Sequence, residues 1–137
     1  MIKNEYQYKI TQKLALELEE ALRILPKNKE FRALHHKGRQ AHLSSLKAQL
    51  TQHRAELKEY ESLRTGKFNF NKIPSLEQVP NWLIQARIAR GLRQEDLAKL
   101  LKVKKQQIQH YEATEYAAAS LTRIRQVAEI LQTPCRT

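Results

Sequence analysis

Apolar residues recur at three- and four-residue steps along most of the chain, and this spacing constrains the fold more than any other feature. Such a period places the apolar side chains on one face of an α-helix. Residues that interrupt helices are scarce, with 3 glycines and 4 prolines among 137 residues. The sequence therefore predicts an all-α protein in which helices bury amphipathic faces against one another.

The N-terminal part predicts two helices. Asn4 is a candidate cap of a first short turn, with Gln7 three residues on in a capping-box relation. Thr11 is a second candidate N-cap, for a helix over about 12–25 that ends at Pro26. A longer helix follows over about 33–64, with a seam in three- and four-residue steps at Leu43, Leu46, Leu50, Leu57 and Tyr60. The seam fits heptad a and d positions. Two readings stay open: a coiled coil between two copies, or a helical hairpin in which the seam packs on the first helix.

A break at residues 66–74 separates this module from the rest of the chain. Gly66 is a helix-stop signal, and Phe68 and Phe70 alternate with polar residues, which favours a short strand or an extended linker. We therefore predict a helical hairpin or coiled-coil module at 1–65, a linker at 66–74 and a second domain at 75–132.

The sequence pattern of the second domain predicts four short helices at about 81–90, 94–101, 105–113 and 121–131. Ser120 is the predicted cap of the last one. Only three residues separate the second and third of these helices, which is the spacing of a helix-turn-helix. The helix at 105–113 would expose a polar face to solvent. That face consists of Lys104, Lys105, Gln106, Gln107, Gln109 and His110. Glutamine pairs with adenine and lysine with guanine or phosphate. A merely solvated helix face has the same composition.

The composition favours a polyanionic partner, because 25 Lys and Arg against 14 Asp and Glu give a net charge of +11. The single cysteine, Cys135, forms no intrachain disulfide and fits a reducing cytoplasm. No apolar run reaches the length of a membrane span. The histidines at 35, 36, 42 and 53 lack the spacing of a metal site, and no catalytic motif or cofactor loop is present, so we expect no enzyme, metal or cofactor.

The segment RIARGLRQEDLAKLLKVKKQQIQHYE resembles the Cro/C1 type of helix-turn-helix, the XRE family of lambda-repressor-like regulators. The resemblance covers about 55 C-terminal residues. It implies that Gln94 contacts phosphate and braces the recognition helix, and that Lys104 lies near the DNA backbone. It implies that Lys105, Gln106 and His110 read base edges, flanked by Gln107 and Gln109. It also pairs Arg87 with Glu112 as a buried ion pair.

Three positions depart from that pattern. Arg93 stands where the family often has a Ser or Thr cap, and Lys102 stands at a turn where glycine is common. The loop ATEYAAAS is one residue longer than expected, and Tyr116 within it reads as an ordinary loop residue. These departures leave open how the last helix, at about 121–131, is oriented. They do not change the residues of the recognition helix at 105–113.

By the resemblance, the chain is expected to be a bacterial, nucleoid-associated regulator that binds double-stranded DNA as a homodimer and represses its own promoter. Its layout is similar to regulators of toxin–antitoxin loci, so an antitoxin with a toxin partner is a further hypothesis. The alternative is a protein-interaction adaptor whose basic domain tethers it to DNA without sequence choice. Base readout distinguishes the regulator from the adaptor. A regulator loses sequence discrimination when Gln106 is changed, whereas a tether loses affinity evenly when lysines are changed.

Overall fold

A computed structural model describes residues 1–72 and 74–132. These residues form seven α-helices and no strand, which confirms the all-α prediction. The helices, in chain order, are α1 (Glu5–Ile24), α2 (Lys29–Arg32), α3 (His36–Arg64), α4 (Val79–Ala89), α5 (Gln94–Leu101), α6 (Lys105–Ala113) and α7 (Leu121–Gln132). Short 3-10 turns at Leu25–Lys27 and Leu76–Gln78 precede α2 and α4. Cys135 lies outside the described residues.

The chain divides into two compact units, Met1–Glu59 and a second from Tyr60 onward, so the division falls within α3. The predicted boundaries at 65 and 75 separate functional modules, and a division into compact units does not test them. They stay a prediction.

The first turn predicted at Asn4 and the helix predicted from residue 12 form one continuous helix, α1. Asn4 caps it, since its side-chain oxygen accepts a hydrogen bond from the Gln7 backbone N–H at 2.8 Å. Thr11 is therefore not an N-cap, and its hydroxyl donates to the Gln7 carbonyl one turn back at 2.9 Å. This bond keeps the threonine hydroxyl satisfied inside a helix, so one continuous helix replaces the predicted start at 12.

The predicted break after α3 is present, but the residues that follow it form no strand. Gly66 adopts a φ of +83°, and its N–H donates to the Leu63 carbonyl at 2.8 Å. Phe68 packs against Phe70 and Trp82 at ring-centroid distances of 5.0 and 5.8 Å. The alternating phenylalanines thus serve aromatic packing within the C-terminal unit instead of strand pairing.

The C-terminal unit is built around a small aliphatic core. The side chains that are almost completely buried come from α4 to α7, namely Leu83, Ile84, Leu97, Ile108, Val127 and Leu131. Arg90 connects the end of α4 to the end of α7, because its guanidinium donates to the Leu131 carbonyl at 2.7 Å and to the Gln132 carbonyl at 3.1 Å. These contacts hold α4 and α7 as a scaffold for the pair α5 and α6.

Candidate nucleic-acid interface

The turn between α5 and α6 sets the direction of α6. Lys102 ends α5 in the left-handed conformation, with φ 58° and ψ 41°. The Val103 N–H then donates to the Ala98 carbonyl at 2.9 Å, and the Lys102 N–H to the Lys99 carbonyl at 3.2 Å. This pattern satisfies the last carbonyls of α5 despite the absence of glycine. The chain therefore reverses within three residues and enters α6 as a helix-turn-helix.

Helix α6 buries one face and exposes the other. Ile108, Tyr111 and Glu112 are buried. The residues on the opposite side are all exposed, and they are six of the seven that the sequence predicts for DNA contact: Lys104, Lys105, Gln106, Gln107, Gln109 and His110. The structure thus brings these side chains together on one polar surface, hereafter the recognition face. Glu112, the only acidic residue of α6, points away from it into the core.

A buried polar network fixes α6 to its neighbours. The Arg87 guanidinium binds the Glu112 carboxylate in two places, with Nε to Oε2 at 2.7 Å and a terminal nitrogen to Oε1 at 3.0 Å. The two side chains are 3% and 1% exposed. A further Arg87 nitrogen donates to the Leu92 carbonyl at 2.8 Å. Because Arg87 lies on α4 and Glu112 on α6, the pair locks the recognition helix to the scaffold.

Gln94 joins this network and does not project into solvent. It is buried, and its side-chain nitrogen donates to Glu112 Oε1 at 2.9 Å. The first residue of α5 therefore braces the end of α6. The phosphate contact that the resemblance implies for Gln94 stays a prediction.

The start of α5 is capped by a residue that sequence reasoning missed. The Asp96 carboxylate accepts a hydrogen bond from the Arg93 backbone N–H at 2.8 Å. That bond, together with the nearby Arg93 guanidinium, holds the pKa of Asp96 below its usual range. The signal was available, since an acidic residue at the third helical position commonly reaches back to the cap. Asp96 thus compensates for Arg93 at the usual Ser or Thr position.

The loop after α6 is more ordered than its sequence indicates. Tyr116 has a φ of 58° and is buried, with its ring stacked on Tyr111 at 5.6 Å. The interpretation of Tyr116 as an ordinary loop residue is therefore wrong. The stacked ring holds the loop against Tyr111 of α6. The Tyr116 hydroxyl is buried and has no hydrogen-bond partner among the described residues.

We expect Tyr116→Phe to raise the free energy of unfolding by about 1 kcal/mol at neutral pH, because a buried hydroxyl without a partner costs about 1–3 kcal/mol. Urea denaturation of the full chain measures this, with Tyr6→Phe on the exposed side of α1 as the matched control. A loss of stability in Tyr116→Phe would show that the hydroxyl has a partner.

The same substitution has a pH signature. Burial and the Glu112 carboxylate raise the pKa of the Tyr116 phenol in the folded state. Above about pH 10 the unfolded chain loses a proton that the folded chain keeps, so stability falls as pH rises. The contribution of one such group approaches about 1.4 kcal/mol per pH unit. Tyr116→Phe should therefore show a shallower alkaline loss than Tyr6→Phe.

The seam residues of α3 are turned toward the protein itself. Leu50 and Tyr60 are buried, and Leu43, Leu46 and Leu57 are half-buried. Leu50 and Tyr60 are thus covered within one chain, and the role of the seam in binding a second copy or a partner stays a prediction. Five of the seven large apolar side chains exposed in the N-terminal unit lie instead on α1, and Met1 and Leu34 are the other two.

The described residues contain no group of three or more His, Cys, Asp or Glu side chains placed to hold a metal ion. None of the helices described is both long enough and apolar enough to cross a membrane.

Comparison with known families agrees with this geometry. Residues 83–136 match the family model described as Helix-turn-helix. The match begins within α4 and includes α5, the turn and α6, and it supports an XRE-type, DNA-binding regulatory domain. No curated protein and no solved structure matches the chain.

Proposed function

We propose that the protein is a sequence-specific regulator of transcription that binds double-stranded DNA and represses its own promoter in a bacterial cytoplasm. The observation that carries the proposal is the recognition face. It presents three glutamine side chains and two lysines from one helix, with the acidic residue of that helix buried. A glutamine is suited to bidentate pairing with adenine in the major groove, and a lysine to guanine or phosphate.

Each residue of the recognition face has a proposed role. Lys104, at the N-cap of α6, contacts the DNA backbone. Lys105, Gln106 and His110 read base edges, with Gln107 and Gln109 beside them. The buried network of Arg87, Gln94 and Glu112 supports this arrangement, because a recognition helix reads bases only if its orientation is held.

The test compares the full chain with Gln106→Ala on a duplex from upstream of its own gene and on a scrambled duplex. Fluorescence anisotropy near 0.15 M salt is a suitable assay. We expect the wild type to prefer its own duplex by about a thousandfold, and Gln106→Ala to reduce that preference about tenfold, within the usual worth of one bidentate base contact. Because Gln106 is exposed, the substitution leaves the core intact.

Equal binding of both duplexes by the wild type would contradict base readout. The alternative function would then apply, in which the basic domain is a tether and the N-terminal unit is the working surface of an adaptor. A matched control is Gln126→Ala on α7, which removes an exposed glutamine outside the recognition face and should leave the preference unchanged.

We further propose that the protein acts as a homodimer. Helix α6 has nine residues and is about 13 Å long, so one copy reads only a few base pairs. Two copies on half-sites about 34 Å apart would read a complete operator.

The exposed face of α1 supports such a dimer. Tyr6, Ile10 and Leu14 follow one another at four-residue steps and are 74%, 41% and 41% exposed. Both halves of α1 carry charges of both signs, with Glu5 in its first turn and Arg23 in its last. A second copy packed on this stripe would bury its three apolar side chains in a two-fold interface. We therefore propose a second copy as the occupant of this face.

We expect Leu14→Glu to convert the dimer to a monomer, as measured by light scattering at micromolar concentration. Leu16→Glu is the matched control, because Leu16 is exposed on a different side of the same helix. A wild-type monomer would contradict the dimer, and equal effects of both substitutions would place the interface elsewhere.

The antitoxin hypothesis rests on the resemblance in chain layout. It assigns the N-terminal unit to sequestering a toxin encoded next to this gene. Co-expression of the two products tests it, and failure of the two to co-purify would contradict it.

A further inference from the structure

The side chains of the recognition face do not share one direction. Successive side chains of an α-helix lie about 100° apart around its axis. Ile108, Tyr111 and Glu112 are buried, so their mean direction marks the side of α6 that faces the core. Gln106 lies within about 15° of the opposite direction, and it therefore points almost straight away from the core. We call this direction the outward axis of α6.

Gln107 and Gln109 point sideways, one to each flank of α6. Gln107 lies about 85° to one side of the outward axis, and Gln109 lies about 75° to the other side. Both side chains are exposed, as is that of Gln106. The three glutamines are thus chemically alike, but only one of the three lies at the centre of the recognition face.

The width of the major groove decides what these flanks meet on DNA. The groove is about 12 Å wide, and an α-helix with its side chains is about 10–12 Å across. A helix in the groove therefore fills its width, so that its outward axis meets base edges and its two flanks meet the two sugar–phosphate strands. A glutamine side chain can donate its amide N–H groups to phosphate oxygens as well as to bases.

We propose that Gln107 and Gln109 each bind the phosphate backbone of one DNA strand and that Gln106 reads a base between them, a division that rests on the proposed function of α6 in the major groove. Contacts on both walls of the groove fix the rotation of α6 about its own axis, because each contact resists turning toward the other wall. That rotation holds the Gln106 amide in line with a base edge. Gln107 and Gln109 are thus positioning residues for base readout.

The flanking contacts involve no charge on the protein, which separates them from the contacts of the lysines. An amide that binds a phosphate releases no counter-ion, whereas a lysine that neutralises a phosphate does. Loss of either flanking glutamine should therefore weaken binding by the same factor at every salt concentration. Loss of a lysine lowers the salt slope as well.

Fluorescence anisotropy of the full chain tests this division of roles. Gln107→Ala and Gln109→Ala are compared with Gln106→Ala on the duplex from upstream of the gene and on its scrambled counterpart, at several salt concentrations. We expect each flanking variant to lose about fivefold in affinity on both duplexes, the size of one hydrogen bond, with preference and salt slope unchanged. Gln106→Ala should instead lose preference. Gln126→Ala on α7 controls for the removal of an exposed glutamine.

Neutralising single phosphates tests the placement of the two flanks on opposite strands. A methylphosphonate removes the charge of one phosphate and weakens a hydrogen bond to it. Scanned along each strand of the upstream duplex, it should leave Gln107→Ala insensitive at one position to which the wild type responds. Gln109→Ala should be insensitive at one position on the other strand.

Three results would overturn the proposal: flanking variants that bind both duplexes as the wild type does, flanking variants that lose preference, or coupling of both flanks to the same strand. Failure of the proposed function looks different, because the wild type itself would then bind both duplexes alike. In that case loss of affinity in the two flanking variants, without loss in Gln106→Ala, would still support the backbone contacts, and wild-type affinity would still overturn them.

Discussion

Replacing Glu112 with alanine is expected to destabilise the C-terminal unit by about 3–5 kcal/mol. The substitution removes the carboxylate that binds the Arg87 guanidinium, and it removes the oxygen that accepts the 2.9 Å hydrogen bond from the Gln94 side chain. A buried cation then remains without its counter-ion, and desolvating an unpaired charge is costly. Small domains have about 5–15 kcal/mol of total stability, so the loss is a large part of the whole.

Urea denaturation followed by Trp82 fluorescence measures this loss in the unit that carries the ion pair. The matched control is Glu95→Ala, because Glu95 pairs with Arg93 at 2.6 Å in a bridge whose arginine is 72% exposed. Solvated pairs of that kind contribute about 0–1 kcal/mol. Equal losses in the two variants would show that the Arg87–Glu112 pair is not desolvated in solution.

A double variant separates the cost of the stranded charge from the worth of the pair. Arg87→Met together with Glu112→Leu leaves no buried charge, so it should be more stable than Glu112→Ala alone. The same double variant tests specificity, since α6 loses its fixed attachment to α4. If orientation of the recognition helix depends on the pair, this variant folds and yet discriminates poorly between its own duplex and a scrambled one.

The helices of the C-terminal unit could be predicted closely because their signals are local. The predicted bounds of α5 and α6 agree with the structure, and the Ser120 hydroxyl accepts from the Arg123 N–H at 3.1 Å as the cap of α7. Short turns, caps and periodic apolar residues each depend on neighbours within a few positions. The turn between α5 and α6 depends on local signals in the same way. A connection of three residues requires a left-handed backbone at position 102, and Lys102 adopts it although it is not glycine.

Other features depend on which part of the protein, or which second copy, packs against a given helix face. The periodicity of apolar residues does not contain that information. The α3 seam was identified as an apolar stripe, but its period is the same whether a second copy or the same chain covers it. For Gln94 the resemblance implies a brace for the recognition helix, but only the position of Glu112 explains the burial of its side chain. Tyr116 is buried against the Tyr111 ring, an effect of tertiary packing on a segment without periodicity.

Replacing Lys104 and Lys105 together with methionine is expected to weaken binding to a scrambled duplex by about 30-fold at 0.15 M salt, because on DNA without the operator bases both lysines act as cations toward phosphate. Methionine keeps the length of the side chain and the helix propensity while removing the charge. Each lysine that neutralises a phosphate contributes about 0.9 to the slope of log affinity against log salt, or about fivefold in affinity at this salt concentration. Both side chains are exposed at the start of α6, so their removal leaves the buried network of Arg87 and Glu112 untouched.

The decisive measurement is the salt slope, because loss of net charge alone also weakens binding to a polyanion. The double variant should lower the magnitude of the slope by about 1.8. The matched control, Lys27→Met with Lys29→Met, removes the same charge from exposed positions in the N-terminal unit. It should keep the wild-type slope and lose little affinity. If both variants change the slope equally, the cations that meet the phosphates are spread over the chain, and the recognition face is not the place where DNA docks.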